Sequence, residues 1–317
     1  MTFNTNRAKL VRVGKKMKSG NTLIIVIAVA AFLGAGIIYK NRSTPPPTAS
    51  AAVTSLPVTL VPGTAPRNEA PLDEYSRFYK RKTYRVTDAG REFFQPGQNV
   101  QYDLTYWWFQ PAGGPYPAGL KFPLVLVLHG SGGNAYAGKY LITSDMQLNY
   151  PAFIVAPVLP QGWLWSNPHE FAGHPDLSLP AKAAQGLPGT VQLIRKLMGE
   201  YPVDPTRIYV IGCSLGGMGA FGAVRNYSDV FAAAMPLSGG WNLADAPQMT
   251  KVPMWVLQGG QDTAVPADIP RSLAAAIHRQ GGRITYTELP NMAHECPSSA
   301  LYGPAIWKWL FSQKKAG

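Results

Sequence analysis

Arg207-Ile208-Tyr209-Val210-Ile211-Gly212-Cys213-Ser214-Leu215-Gly216-Gly217 is the stretch whose reading decides the fold. Apolar and β-branched residues run as far as Ile211 and stop at a glycine-flanked serine, as in a buried strand that turns sharply into a helix. Gly212-x-Ser214-x-Gly216 has the spacing that lifts a serine above a sheet, because bulk at either flanking position would collide with the neighbouring strand or helix. Such strings also arise by chance in a chain with 32 glycines, so the surroundings carry the weight. Met218, Ala220, Phe221, Ala223 and Val224 follow with the character of a tightly packed helix. Gly216, Gly217, Gly219 and Gly222 lie in the same helix, and each glycine costs a helix interior about 1 kcal/mol relative to alanine. Four such defects predict a close approach of this helix to the sheet and turn, which would offset the cost.

Outward from this turn, strands alternate with helices. Strands are predicted at Lys82 to Val86, Gln101 to Phe109, Phe122 to Leu128, Phe153 to Val158, Arg207 to Ile211, Ala233 to Leu237, Val252 to Leu257 and Arg283 to Leu289. From the third onward most are separated by helical segments, which implies parallel pairing through right-handed crossovers. The fold class that follows is α/β, a mostly parallel eight-stranded sheet flanked by helices. Val191, Ile194, Leu197 and Met198 share one face of a helix whose other face carries Gln192, Arg195, Lys196 and Glu200, and helices are also expected near 136–148, 266–280 and 299–311. Leu159 to Leu187 breaks the alternation with six prolines and glycines before Ala181 and with Trp163, Trp165, His169, Phe171 and His174 among them. An irregular loop of this length and aromatic content reads as a lid or substrate-binding loop, against the plainer reading of a packed surface loop.

The net charge of +12 suggests nucleic acid until it is located. Arg7, Lys9, Arg12, Lys15, Lys16, Lys18, Lys40 and Arg42 place +8 ahead of residue 43 with no acidic residue among them, leaving +4 on the other 275 positions. A basic tail on an ordinary body argues against nucleic-acid binding. Leu23 to Tyr39 is uncharged over 17 residues, about 26 Å as a helix, and Thr22 with a snorkelling Lys40 extends it towards a bilayer core of about 30 Å. Six cations precede the run and two follow it, an asymmetry that keeps the N-terminus cytoplasmic and sends the rest across. A cleaved secretory signal is the competing reading, but the run meets Lys40-Asn41-Arg42 rather than a small-residue cleavage site. A buried core helix is the third. Ser43 to Arg67, rich in proline, serine and alanine, reads as a semi-extended tether. The expected organisation is a basic cytoplasmic tail (1–21), a transmembrane signal-anchor helix (22–39), a proline-rich linker (40–67) and a catalytic domain (68–317) on the extracytoplasmic side, with secretion after cleavage as the alternative.

A serine hydroxyl needs a base within hydrogen-bond reach and a carboxylate to orient that base. Gly259-Gly260-Gln261-Asp262 follows the seventh predicted strand and Asn291-Met292-Ala293-His294 follows the eighth, so both loops leave the sheet at the edge where Ser214 emerges. Of the other histidines, His278 lies in an expected helix, His129 follows the third strand, and His169 and His174 precede the serine in the irregular loop. Asp268 is the alternative acid, although an aspartate near a helix start is also expected for capping alone. The tetrahedral intermediate requires oxyanion donors. His129-Gly130-Ser131-Gly132-Gly133 offers the backbone N–H of Ser131, with Gly130 or Gly132 as neighbours that could replace it, and Leu215 offers the second. This chemistry calls for no metal and no organic cofactor. The glycine loop lacks a phosphate-binding or dinucleotide signature.

Leu124 to Gly133, Tyr201 to Gly240, Met254 to Pro266 and Asn291 to His294 together resemble the α/β-hydrolase superfamily. The resemblance is to its esterase branch, with polyhydroxybutyrate-depolymerase-like and feruloyl-esterase-like enzymes and related peptidases, and it covers about residues 78 to 312. It implies the α/β-hydrolase fold, Ser214 as nucleophile, His294 as base, Asp262 as orienting acid and a small-molecule or polymer ester as substrate. A serine peptidase on the same fold, or a non-catalytic binding module, are the other classes. Trp163 and Trp165 are candidates for lining the substrate site, the alternative being ordinary packing. Similarity to secreted feruloyl esterases and tannases, in which a cysteine beside the serine is bonded to one beside the histidine, further implies a Cys213–Cys296 disulfide. Here the second cysteine is displaced by one residue, and two unbonded thiols are the alternative.

Overall fold

Strands that are apolar on both faces can be buried only between two helical layers, and that requirement shapes this chain. The computed structural model describes residues 78–87, 101–111, 114–131, 133, 135–160, 163–166, 186–296 and 299–315, all within the unit Val53–Gly317. The expected tail, membrane span and linker lie outside the described residues, as does most of the irregular loop. Among the described residues no helix is long and apolar enough to cross a membrane.

The strands are β1 (Lys80–Val86), β2 (Tyr102–Phe109), β3 (Phe122–Leu128), β4 (Phe153–Val158), β5 (Val203–Cys213), β6 (Ala233–Leu237), β7 (Met254–Gly259) and β8 (Ile284–Leu289). They form one sheet in the order β1-β2-β4-β3-β5-β6-β7-β8. β2 is antiparallel to both of its neighbours, and pairing from β4 across to β8 is parallel. The helices are α1 (Tyr136–Leu141), α2 (Ser144–Asn149), α3 (Leu187–Glu200), α4 (Leu215–Asn226), α5 (Asp268–Arg279) and α6 (Pro304–Ser312).

Alternation along each strand divides the core into two layers. Leu124, Leu126 and Leu128 face Leu193 of α3 and Phe221 of α4 in one cluster. Val125 and Val127 face Leu141 of α1 and Leu310 of α6 in the other.

Four elements differ from expectation. The single helix near 136–148 is two, because the Thr143 side chain accepts a hydrogen bond from the Met146 N–H and starts a new helix. The helix near 299–311 is a 3₁₀ turn (Ser299–Tyr302) followed by α6, separated at Gly303 where Pro304 opens the second segment. A 3₁₀ segment at Leu243–Met249, begun by the Asn242 side chain accepting from the Ala244 N–H, was not foreseen. β5 also begins earlier than its apolar run, at Val203.

Candidate active site

Ser214 is the single residue between β5 and α4, and its backbone takes the left-handed values φ 59° and ψ −121°. A non-glycine residue is disfavoured there and is kept only when its surroundings determine it. Those surroundings are the Ser214 N–H donating to Leu237 O (3.0 Å) and the Met218 N–H donating to Ser214 O (3.0 Å). A Cβ on Gly212 would lie 2.1 Å from Gly216 O, and one on Gly216 would lie 2.1 Å from Leu128 O. Glycine at both flanks is therefore a steric requirement of the turn.

His294 and Asp262 meet Ser214 from the loops after β8 and β7. His294 Nε2 lies 2.9 Å from Ser214 Oγ, and His294 Nδ1 lies 2.8 Å from Asp262 Oδ2. An ionised carboxylate can only accept, so Nδ1 carries the proton and Nε2 presents a lone pair to the serine hydroxyl. The two loops are tied together by Gln261 N–H donating to Met292 O (2.9 Å). The Asp262 side chain is fully buried, whereas 27% of the His294 side chain remains exposed. Oδ1 of Asp262 accepts from the N–H groups of Ala264 (2.9 Å) and Val265 (2.8 Å). Burial alone would raise this carboxyl, but hydrogen bonds from His294, Val265 and Gln258 and the nearby imidazole hold it below its ordinary value. Asp268, the alternative acid, is exposed in the first turn of α5.

The loop after β3 lies against the serine. A Cβ on Gly130 would come 3.2 Å from Cys213 O and 3.4 Å from Ser214 Cβ. The Gly133 N–H donates to Gly130 O (3.1 Å), closing a tight turn in which Ser131 is exposed. His129 supports this turn from beneath: its Nδ1–H donates to Gly130 O (2.7 Å) and its Nε2 accepts from the Leu159 N–H (3.0 Å). Burial pushes the His129 imidazole down against the upward pull of the Gly130 carbonyl. Leu215 is half-buried and is the first residue of α4, where N-terminal amides carry partial positive charge.

The two tryptophans differ in their surroundings. Trp165 is 2% exposed, and its indole N–H donates to His129 O (2.8 Å), an arrangement that matches the packing alternative. Its position follows from Gly219, where a Cβ would stand 2.6 Å from Trp165 Cβ. The helix glycine makes room for the indole. Trp163 is half-buried and packs on the Tyr102 ring at 4.5 Å between centroids.

Cys213 and Cys296 are joined in a disulfide with their Cα atoms 5.7 Å apart. The bridge links the residue before Ser214 to the second residue after His294. Ser238, fully buried at the end of β6 with φ 44°, donates its hydroxyl to Glu295 O (3.3 Å) and so braces the histidine loop from a third strand. Neither Ser238 nor Gln258 was singled out from sequence. The run Leu237-Ser238-Gly239-Gly240 resembles a loop signal, but nothing in it shows which carbonyl the hydroxyl meets.

No family model matches the chain. It is 26% identical over 263 residues, 81% of its length, to a protein of Nocardia uniformis subsp. tsuyamanensis named "Putative esterase NocK", spanning 67% of that protein. It is 28% identical over 136 residues, 41% of its length, to poly(3-hydroxyalkanoate) depolymerase C of Paucimonas lemoignei, spanning 30% of it. Among solved structures, a thermostable esterase is similar with a TM-score of 0.62 and 25% identity, over 75% of this chain and 64% of that one. Fold and likeness define a class: the chain is a hydrolase of the α/β-hydrolase fold. Within that class it resembles serine esterases, and by fold alone it also resembles the acylaminoacyl peptidase of Pyrococcus horikoshii, at 15% identity and a TM-score of 0.52 over 76% of this chain and 43% of that one.

Proposed function

We propose that the chain cleaves carboxylic esters through an acyl-enzyme intermediate, with Ser214, His294 and Asp262 as a catalytic triad. The observation that carries this reading is the hydrogen-bonded line from Ser214 Oγ through the His294 imidazole to Asp262 Oδ2, at 2.9 and 2.8 Å. Ser214 Oγ attacks the ester carbonyl carbon and passes its proton to His294 Nε2, and Asp262 stabilises the imidazolium that forms. The oxyanion is held by the backbone N–H groups of Ser131 and Leu215. Collapse expels the alcohol, which takes the proton from Nε2 and leaves the acyl group on Ser214. Water then repeats the sequence, releasing the carboxylic acid and restoring the serine.

Hydrolysis of p-nitrophenyl acetate by the parent protein, and a fall of about 10⁴-fold or more in kcat for Ser214→Ala with the fold retained, is the expected result. Unchanged hydrolysis in that variant would overturn the mechanism. A small-molecule or polymeric ester is supported as substrate class by the resemblance to a depolymerase and to esterases. Parallel turnover of aryl esters and peptides separates the esterase from a peptidase on the same fold.

The same reading places the catalytic domain (68–317) outside the cytoplasmic membrane, held by a signal-anchor at 22–39 and spaced by the linker at 40–67. The support is the uncharged run and its charge asymmetry. Alkaline carbonate extraction of membranes tests it: an anchored chain stays in the pellet, and release of the whole population would reject the anchor.

A further inference from the structure

Gln258 is a side chain that the reaction outlined above does not use. It is the penultimate residue of β7 and is fully buried. A central strand position of this kind is ordinarily aliphatic, because a buried amide must satisfy both its nitrogen and its oxygen. The Gln258 Nε2 donates to Asp262 Oδ2 (3.0 Å) and to Val265 O (2.8 Å). Both partners are pure acceptors, so the amide cannot be turned the other way round. Its Oε1 is left buried with no hydrogen-bond partner among the described residues. An unpaired buried carbonyl is unfavourable, so the orientation is maintained by what the nitrogen does.

That nitrogen reaches the same carboxylate oxygen that His294 uses. The loop amides of Ala264 and Val265 hold Oδ1, while Gln258 holds Oδ2 from a rigid strand and stitches Val265 to that strand as well. Rotation of the carboxylate would break bonds on both oxygens. We propose that Gln258 is a positioning residue that acts through Asp262, fixing the oxygen that faces His294. The inference rests on the serine-hydrolase reading of the site.

Two variants test it. Gln258→Met keeps the length and removes the donor, and Gln258→Glu keeps the shape and sets an acceptor against an acceptor. The readouts are a ¹³C titration of the Asp262 carboxyl, assigned against Asp262→Asn, and kcat and KM for p-nitrophenyl acetate. The Asp262 carboxyl should titrate at higher pH in both variants, further in Gln258→Glu where a like charge is introduced. In both, kcat should fall about tenfold with little change in KM. A residue that served only packing would lower the melting temperature and leave the Asp262 titration where it was, and that outcome in a folded variant overturns the proposal. If Gln258→Met does not fold, Gln258→Leu, which also lacks the donor and adds no charge, carries the test. Absence of ester hydrolysis in the parent protein would reject the catalytic reading instead, and the carboxyl titration would still decide what Gln258 does.

Discussion

His129 ties the turn after β3 to the segment just after β4: its ring donates to Gly130 O at 2.7 Å and accepts from the Leu159 N–H at 3.0 Å. Phenylalanine would fill the space and make neither bond. His129→Phe is expected to lower kcat by about 10²-fold, the scale of losing one oxyanion donor, with a smaller effect on KM. Steady-state kinetics on an aryl ester would show it, and a change confined to KM would contradict the supporting role. Ser214, Asp262 and His294 were legible because each follows a strand within a few residues, and Ser214 is flanked by glycines while Gly259 and Gly260 precede Asp262. Trp165 and Gln258 were not, because their roles depend on partners that the chain brings together only after folding. Trp165 fits a gap left by Gly219 on another element, and Gln258 answers to the charge of Asp262.

Among the elements, β5 is anchored at its start as firmly as at its end. Asp204 accepts from the Thr206 N–H (2.9 Å), the Thr206 hydroxyl (2.6 Å) and Arg207 Nε (2.7 Å), while Arg207 Nη2 donates to Lys121 O (3.0 Å) just ahead of β3. Burial would raise the Asp204 carboxyl, yet these bonds bring it from the usual 3.8 down to about 2. Because the folded value lies below the unfolded one, the stabilisation is complete above about pH 4 and is lost as the pH falls through about 2. Asp204→Asn should therefore destabilise the protein by about 1 kcal/mol at pH 7, since solvent screens this partly exposed pair, with the gap narrowing between about pH 4 and 2. Urea melts across that range would measure it, and a gap independent of pH would refute the charge argument. The polar segment Val203 to Thr206 conceals this part of the strand from an apolar-pattern reading. Thr143 and Pro304 likewise divide segments whose apolar periodicity continues across them.

At the scale of the whole molecule, the alternation of strands and helices foretold a mostly parallel eight-stranded sheet, but not its order. The reversed strand β2 sits between β1 and β4, a choice that depends on pairing between distant segments rather than on any local pattern. The carboxyl ends of β3, β5, β6, β7 and β8 deliver the His129 turn, Ser214, Ser238, Asp262 and His294 to one edge. A parallel sheet converges its loops in this way, which explains why side chains spread over more than 150 positions of sequence occupy one place.

Cys213 and Cys296, 83 positions apart, also close a covalent ring that contains Ser214, Asp262 and His294 together. Exposed Lys251 and Arg279 lie on that ring. A protease that cuts once at either of them opens a loop without releasing a fragment, so Ser214 and His294 stay in one molecule, held through sulfur, until a reductant parts them. The segment that carries Ser214, Asp262 and His294 can thus lose one peptide bond and remain a single covalent body.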